Sequence, residues 1–366
     1  MSRPVRPSKC GGKLQYDMHY YGCYALARAA GVRAEDALVL ATASQYVDDH
    51  AYNDWILSDS QTGEGVLGIA TAHHPLEAGV RALARLIDDD DSRLVWVPFH
   101  FLPGNEGDSF VERMIAREDS LLANQMLDHY LSLETLSAHR EHALHLLGIG
   151  LHAYADTFAH YGFSGMPSPK NCVQADSIQI TSVHAEGVLA YLAQKANEFK
   201  ARWGDYPHLG HGSVLTYPDR PFLEWSFRYE DGREAVRNNP ASFLRACEKI
   251  HARLGQFAQV FYEAAPGARA WDELRDPVRA ILQTDGPADE RGAAWRAALA
   301  RGAFGTPEDC PVYAPEKWNG IVEGFKAGSD GKAFLASDPY RFFVAAEYHR
   351  SFVLKRLLPG GGLLAA

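Results

Sequence analysis

Helical periodicity runs through most of the chain, and this feature narrows the choice of fold more than any other. Apolar side chains recur with helical spacing from Tyr16 to Ala30, from Ala34 to about Asp48 and from Thr135 to Tyr161. Only the run 94–102, which contains Pro98, is typical of an extended edge segment. The sequence therefore predicts an all-α, multi-helix bundle with loop-rich insertions.

The remaining chain follows the same pattern. The segments 108–133 and 135–161 predict an antiparallel pair of long helices. The segment 54–74 is typical of irregular structure, and 204–239 is rich in loops. Further helices are predicted at 75–86, 183–203, 240–264, 270–282, 288–301, 315–327 and 339–357. No linker forces a domain boundary. We expect one domain, in which a helical extension (266–366) packs on a metal-binding helical core (1–265).

Composition excludes several classes of protein. The 366 residues carry 36 Lys and Arg against 46 Asp and Glu, a formal charge of −10, and 46% of them are hydrophobic. Such a chain is globular, and without a basic run it is a poor general binder of nucleic acid. No apolar stretch is long enough to span a membrane, and the basic N-terminus lacks the apolar core of a signal peptide. We expect a cytoplasmic protein with a small-molecule substrate; the oligomeric state stays open.

The distribution of cysteine and histidine points to one kind of metal site. Five scattered cysteines without a Cys-x-x-Cys pair argue against both a disulfide framework and a thiolate zinc site. Any metal must therefore be held by histidine and carboxylate. Twelve of the 16 histidines fall between His19 and His184, so the site is expected in the first half of the chain.

The sharpest motif places His152, Asp156 and His160 at four-residue spacing among apolar neighbours. On a helix they form one stripe about 80° wide, with the two imidazoles about 12 Å apart along the axis. That separation is too long for one shared ion, and it favours a metal cluster in which Asp156 ligates or bridges. The alternative is a polar stripe that faces solvent, but burying three ionisable groups without a partner would be costly.

Two clusters near the N-terminus have the same ligand chemistry. Asp17 and His19 lie at the start of the first predicted helix, and Asp48 and Asp49 end the second. Carboxylates at a helix C-terminus oppose the helix dipole, and a bound cation would reverse that cost. We therefore expect these side chains to converge on the helix face that carries Asp156.

Further candidate ligands lie outside these helices. His100 is flanked by apolar residues and is either a core imidazole or a ligand. His211, between two glycines, and Asp219 are loop residues that would complete the coordination of a second metal ion. His145 and His184 are the competing candidates for that role.

Four segments, DMHYYG, QYVDD, HFLPG and HAYADTFAH, carry a resemblance to known families. Their order resembles the zinc-dependent phospholipase C and single-strand nuclease superfamily, which is all-helical, uses three clustered zinc ions and hydrolyses phosphoesters. They are also similar to an uncharacterised bacterial and fungal family of unknown function. The resemblance covers about residues 16–220 and implies metal ligands at His19, Asp48 or Asp49, His100, His152, Asp156 and His160. Asp17 would replace the N-terminal amine ligand of the superfamily.

These observations favour a metal-dependent hydrolase that acts on an ester, phosphoester or amide. One to three zinc ions would activate water, with Asp48 as a ligand and Asp49 as the general base, although either carboxylate is a candidate for catalysis. Iron or manganese is compatible with the same ligands. Two alternatives stay open: a His/carboxylate iron enzyme of oxidative or lyase type, and a helical binding protein with a structural metal.

Overall fold

The computed structural model describes residues 16–50, 56–58, 65–72, 92–203, 209–262, 267–328 and 331–363. Helices dominate these ranges, which confirms the predicted multi-helix fold. The α-helices of the described ranges are α1 (Cys23–Ala29), α2 (Ala34–Asp49), α3 (Phe110–Arg113), α4 (Leu121–Tyr130), α5 (Leu133–Ala138), α6 (Ala143–Ala159), α7 (Glu186–Trp203), α8 (Asn239–Phe261), α9 (Trp271–Leu282), α10 (Ala288–Ala300), α11 (Pro315–Lys326), α12 (Gly331–Leu335), α13 (Asp338–Phe352) and α14 (Leu358–Gly360). The helix expected at 75–86 lies outside the described residues.

Two short antiparallel sheets interrupt the helices. β1 (Ile56–Ser58) pairs with β2 (Gly65–Leu67), and β3 (Gln179–Ile180), β4 (Glu224–Arg228) and β5 (Glu234–Asn238) form a second sheet in that order. In its register Trp225 faces Arg237 and Phe227 faces Ala235. The prediction that 54–74 is irregular was therefore wrong at β1 and β2, and the stretch 204–239, predicted to be loop-rich, also contains β4 and β5. Strands this short give a weak alternating pattern, and the Gly- and Pro-rich turns around them hide it.

The prediction of an extended segment at 94–102 was also wrong. Residues Ser92–His100 form a π-helix that contains Pro98, and Val95, Val97 and Phe99 are buried. A run that is apolar on every side has no measurable period, so periodicity cannot distinguish a strand from a buried helical turn.

The two long helices predicted at 108–133 and 135–161 are each divided into shorter helices. Ser109, Ser120 and Ser132 precede α3, α4 and α5, and each side chain accepts a hydrogen bond from the backbone N–H three residues later. These N-caps start new helices inside what periodicity alone reads as continuous ones. A 3₁₀ turn, Arg140–His142, then leads into α6.

One hydrophobic core joins both halves of the chain. It contains residues of α1, α2, α4 and α6 together with Phe342 and Phe343 of α13, so the C-terminal helices pack on the same core. Gly148 allows α2 to lie directly against α6, since a Cβ there would be 2.5 Å from the carbonyl oxygen of Leu40. A smaller cluster under the second sheet includes Phe101 and Trp225. No described helix has the length and apolar character needed to cross a membrane.

His349 links α13 to the rest of the core as a buried neutral imidazole. Its Nδ1 accepts from the Tyr130 hydroxyl at 2.8 Å, and its Nε2 donates to the carbonyl oxygen of Pro98 at 2.7 Å. Burial lowers the pKa of His349 to about 4. The neutral ring therefore has a hydrogen-bond partner at each of its two nitrogens.

Candidate metal centre

The predicted ligands come from elements with unusual local geometry. His19 lies in the π-helical turn Asp17–Gly22 that opens α1, and His100 ends the π-helix Ser92–His100. Asp48 belongs to the last turn of α2, whereas His152 and Asp156 lie on α6. π-Helical turns are rare and frequently occur at functional sites. Of the three π-helices in the described residues, two contain His19 and His100, which favours a specialised site there; the third is Val353–Leu357.

Asp156 is at the centre of the first cluster. Its Oδ1 lies 3.2 Å from Nε2 of His19, and its Oδ2 lies 3.3 Å from both Nδ1 of His100 and Nε2 of His152. Asp48 approaches the same two imidazoles, with its Oδ1 3.8 Å from His100 and 3.7 Å from His152. His19, His100, His152 and Asp156 are buried, and Asp48 is half-buried.

These side chains form two overlapping groups of possible ligands. His19, His152 and Asp156 form one, and Asp48, His100 and His152 form the other; the ligand atoms of each group lie within 4.8 Å of one another. Two carboxylates and three imidazoles thus converge from four separate segments of the chain. Oxygen and nitrogen donors of this kind suit zinc, iron and manganese.

A third group lies at the C-terminal end of α6. Nε2 of His160 is 3.0 Å from Oδ1 of Asp219, and Nε2 of His211 is 3.7 Å from its Oδ2. The three ligand atoms again lie within 4.8 Å. Phe101 stacks on His160 at 4.7 Å between ring centroids and covers one side of the group. Asp156 adjoins this group as well, with its Oδ2 3.6 Å from Nδ1 of His160.

The hydrogen bonds of three imidazoles fix which nitrogen faces the site. Nε2 of His100 contacts the Thr71 carbonyl at 2.8 Å, Nδ1 of His160 the His100 carbonyl at 2.8 Å, and Nδ1 of His211 the Leu215 carbonyl at 2.6 Å. A carbonyl only accepts, so each of these nitrogens carries the proton. In a neutral ring the other nitrogen then presents a lone pair to a carboxylate, and two lone pairs repel each other.

A cation or an extra proton resolves that repulsion. Histidines that bind metals almost always donate the other ring N–H to a carbonyl or carboxylate, the arrangement seen at His100, His160 and His211. His152 is the exception, because its buried Nδ1 has no hydrogen-bond partner among the described residues. The donor set therefore fits metal ions at the middle of α6, beside His152, and at its C-terminal end, beside His160.

Protonation is the other way to balance these charges. Burial by itself lowers the pKa of His160, but Asp156 and Asp219 outweigh burial and raise this pKa to about 9. Burial also acts downward on His19, but its pKa is raised overall, because the hydrogen bond to Asp156 and the charges of Asp156 and Asp48 together outweigh burial. Burial lowers the pKa of His152 to about 3. A metal ion would therefore have to displace protons from some of these imidazoles.

The pKa values of the three carboxyl groups shift in different directions. Burial would raise the pKa of Asp156, yet the surrounding imidazoles hold it well below its usual range. Burial raises the pKa of Asp48 to about 7, although His19 and His100 oppose this shift. Burial acts upward on Asp219 too, but His211 and His160 lower its pKa overall. Asp156 and Asp219 are thus anionic at neutral pH.

Two predicted ligands lie elsewhere. Asp17 places both oxygens on the buried guanidinium of Arg291, at 2.7 and 2.9 Å, so the expectation that Asp17 binds metal needs correction. Asp49 lies next to Asp48 but does not share its ligand group. Its Oδ2 accepts a hydrogen bond from the Tyr313 hydroxyl at 2.6 Å.

The choice among the competing histidines favours His211. His145 lies 3.2 Å from Asp338 at the surface of α13, and His184 contacts Ser182 and Asp285, so neither belongs to a ligand group of the described residues. The roles of Thr71 and Leu215 depend on their backbone carbonyls, and those of Tyr313 and Arg291 on distant partners. No local sequence pattern reveals such roles.

A buried arginine holds the end of α6 that carries His160. Arg237 of β5 is 2% exposed and donates to the carbonyl oxygens of Ala159 and Tyr161. A cation at a helix C-terminus satisfies carbonyls without helical partners and complements the helix dipole. The third ligand group is therefore fixed to the second sheet.

Together, the fold and the site define a predominantly helical protein with buried His/Asp groups placed to hold metal ions. The chain belongs to a family of unknown function (DUF6765), whose family model matches residues 14–357. Neither a curated protein nor a solved structure gives a match. Because the family description names no activity, an inference about function has to start from the geometry of the site.

Proposed function

We propose that this protein is a metal-dependent hydrolase whose His/Asp groups hold zinc. The observation that supports this most directly is the hydrogen bonding of His100, His160 and His211. Each donates one ring N–H to a backbone carbonyl and turns the other nitrogen toward a carboxylate. A neutral core imidazole that only fills space has no reason to face an acceptor with its lone pair, whereas a metal ligand does.

Charge supports more than one ion. Asp48, Asp156 and Asp219 would contribute up to three negative charges to the site, and neutral imidazoles contribute none. One divalent cation would leave a net negative charge in a largely buried region, and two would offset it. We propose one ion at the groups that share His152 and one beside His160, with Asp156 between them; zinc is the first choice among ions that accept this donor set.

Zinc held there would polarise a substrate oxygen and activate water for attack on an ester, phosphoester or amide. Asp49 would accept the proton, because it is half-buried, lies next to Asp48 and is outside the ligand groups. The Tyr313 hydroxyl fixes the orientation of this carboxylate through a 2.6 Å hydrogen bond. Burial and the charge of Asp49 raise the pKa of Tyr313, so its hydroxyl stays protonated and can donate.

A distant relationship to the zinc-dependent phospholipase C and nuclease superfamily is part of the same proposal. The helical fold, the order of His19, His100 and the α6 motif, and the clustered ligands support it. We propose a small-molecule phosphoester as the first substrate to test, since the acidic chain is unsuited to general nucleic-acid binding.

Metal content and activity test this proposal. The full chain would be purified without chelators, its metals quantified by mass spectrometry, and its turnover of bis(p-nitrophenyl) phosphate assayed before and after chelation. We expect bound zinc, chelator-sensitive turnover and loss of both in His160→Asn. His142→Gln, outside the ligand groups, is the control. Protein that contains no metal, takes up no zinc and gains no thermal stability from zinc would refute the proposal. Visible absorption from bound iron would instead favour the iron enzyme described above as an alternative.

A further inference from the structure

A second constellation of reactive side chains lies outside the metal centre. Oγ of Ser182 is 2.6 Å from Nε2 of His184, and Nδ1 of the same ring is 3.3 Å from Oδ2 of Asp285. Nucleophile, base and orienting carboxylate thus follow one another with the two ring nitrogens in the productive order. We propose that Ser182, His184 and Asp285 form a serine-type esterase site, independent of metal.

The hydrogen bonds around Ser182 direct its hydroxyl proton toward the imidazole. Oγ accepts the backbone N–H of Glu224 at 3.1 Å, which leaves the hydroxyl proton for another acceptor. That proton can reach the Glu224 carbonyl at 3.3 Å or Nε2 of His184 at 2.6 Å, and the shorter contact is the stronger one. Because Nδ1 faces the Asp285 carboxylate, it carries the ring proton and Nε2 is free to accept.

Each member of the triad is held by its own support. The backbone N–H groups of Thr181 and Ser182 donate to the Glu224 carbonyl, which fixes the serine to β4. The ring of His184 packs against Phe222, with ring centroids 5.4 Å apart.

The turn that carries Asp285 is anchored from the protein interior. The carbonyl oxygen of Gly286 accepts from Arg291 at 2.6 Å, and Arg291 is itself held by its buried ion pair with Asp17. The triad residues, which come from two separate segments of the chain, are therefore positioned before any substrate binds, as catalytic geometry requires.

The site is accessible to a substrate. Ser182 is half-buried, and the Val183 side chain between nucleophile and base is 98% exposed, so it offers apolar surface to an acyl group. The first turn of α7 begins at Glu186, and the N–H groups of Val188 and Leu189 already donate to the Ala185 carbonyl. Those of Glu186 and Gly187 are the candidate donors to the carbonyl oxygen of the substrate.

The reaction would be hydrolysis of a carboxylic ester. Oγ of Ser182 bonds to the acyl carbon as its proton passes to Nε2 of His184; the C–O bond then breaks, and the leaving alkoxide takes that proton and departs as the alcohol. Water attacks the acyl-serine, gives a proton to Nε2, and the carboxylic acid leaves as Oγ recovers the proton. No oxidant or other co-reactant is needed.

A fluorophosphonate probe tests this site in the full chain. The protein would be incubated with the probe and EDTA, and the modified residue would be identified and its labelling rate measured by peptide mass spectrometry. The matched control is Ser177→Ala. Ser177 also accepts a backbone N–H of β4, from Arg228 at 2.8 Å, but its hydroxyl donates to the Gln174 carbonyl at 2.6 Å.

We expect covalent modification at Ser182, unchanged by EDTA and by Ser177→Ala and abolished by Ser182→Ala. His184→Gln should slow labelling by about 100-fold, since a positioned base contributes that much or more. Asp285→Ala should slow it about tenfold, and Asp285→Glu should restore most of the rate, which a merely structural role would not predict. An unmodified Ser182 in the folded protein, or equal rates in wild type and in folded His184→Gln or Asp285→Ala, would overturn the proposal.

Discussion

Replacing Gly148 by alanine tests how closely the metal site depends on the contact between α2 and α6. A Cβ at this position would lie 2.5 Å from the Leu40 carbonyl oxygen, 2.9 Å from Cβ of Ala43 and 3.1 Å from the backbone nitrogen of Ser44. Two of these neighbours are backbone atoms of α2 and cannot rotate away. The helices must therefore separate by about 0.9 Å to restore an ordinary van der Waals contact.

Two opposing effects set the magnitude of the stability change. Alanine favours a helix interior over glycine by about 1 kcal/mol, whereas overpacking a core costs about 1–3 kcal/mol. Because the clash is with backbone, we expect the upper end of that cost and a net loss of about 1–2 kcal/mol in the free energy of unfolding. Asp48 lies on α2 and His152 on α6, and metal ligands tolerate displacements of only about 0.2 Å. Zinc affinity should therefore fall about tenfold or more.

Urea unfolding of metal-free protein and competition with a zinc chelator measure the two effects separately. Gly255→Ala on α8 is the matched control, because a Cβ there meets nothing within 4 Å. It should stabilise the protein by about 1 kcal/mol and leave zinc affinity unchanged. If Gly148→Ala is as stable as wild type and binds zinc equally well, α2 and α6 are not in the close contact described, and the reasoning fails.

Three further predictions concern other parts of the molecule. Asp156→Ala should lose more zinc per chain, by elemental analysis, than His160→Ala, because Asp156 adjoins both ends of the site; equal losses would contradict this. Arg237→Met should lower the free energy of unfolding in urea by about 2–4 kcal/mol, since it removes the donor from the buried Ala159 carbonyl and the half-buried Tyr161 carbonyl; a change below about 0.5 kcal/mol would show that water replaces the donor. The pKa of His349 is about 4 in the folded state and 6.5 in the unfolded state, so acid protonates the unfolded chain first. The contribution of neutral His349 to folding stability is therefore complete above pH 6.5 and is lost as the pH falls toward 4. His349→Gln should therefore remove up to about 3 kcal/mol of the acid dependence, and an unchanged pH profile would refute this.

Some features of this protein follow from local sequence alone. Four-residue spacing placed His152 and Asp156 on one face of a helix, and the apolar residues around them indicated that this face is buried. Those inferences need only the geometry of a single helix. The helical class follows for the same reason, since periodicity is a property of contiguous residues. The sequence did not predict the short strands or the π-helix Ser92–His100, because their apolar residues show no clear period.

The membership of the site was decided by tertiary structure. Asp17 and Asp48 look equally suited to bind metal, yet Arg291, 274 positions away along the chain, pairs with Asp17, while α2 carries Asp48 toward His152. A carboxylate near an arginine and a carboxylate near imidazoles differ only in what the fold brings to them. Distant segments meet through packing, here through the missing side chain of Gly148, and local sequence does not encode those meetings because their free energy depends on both partners at once.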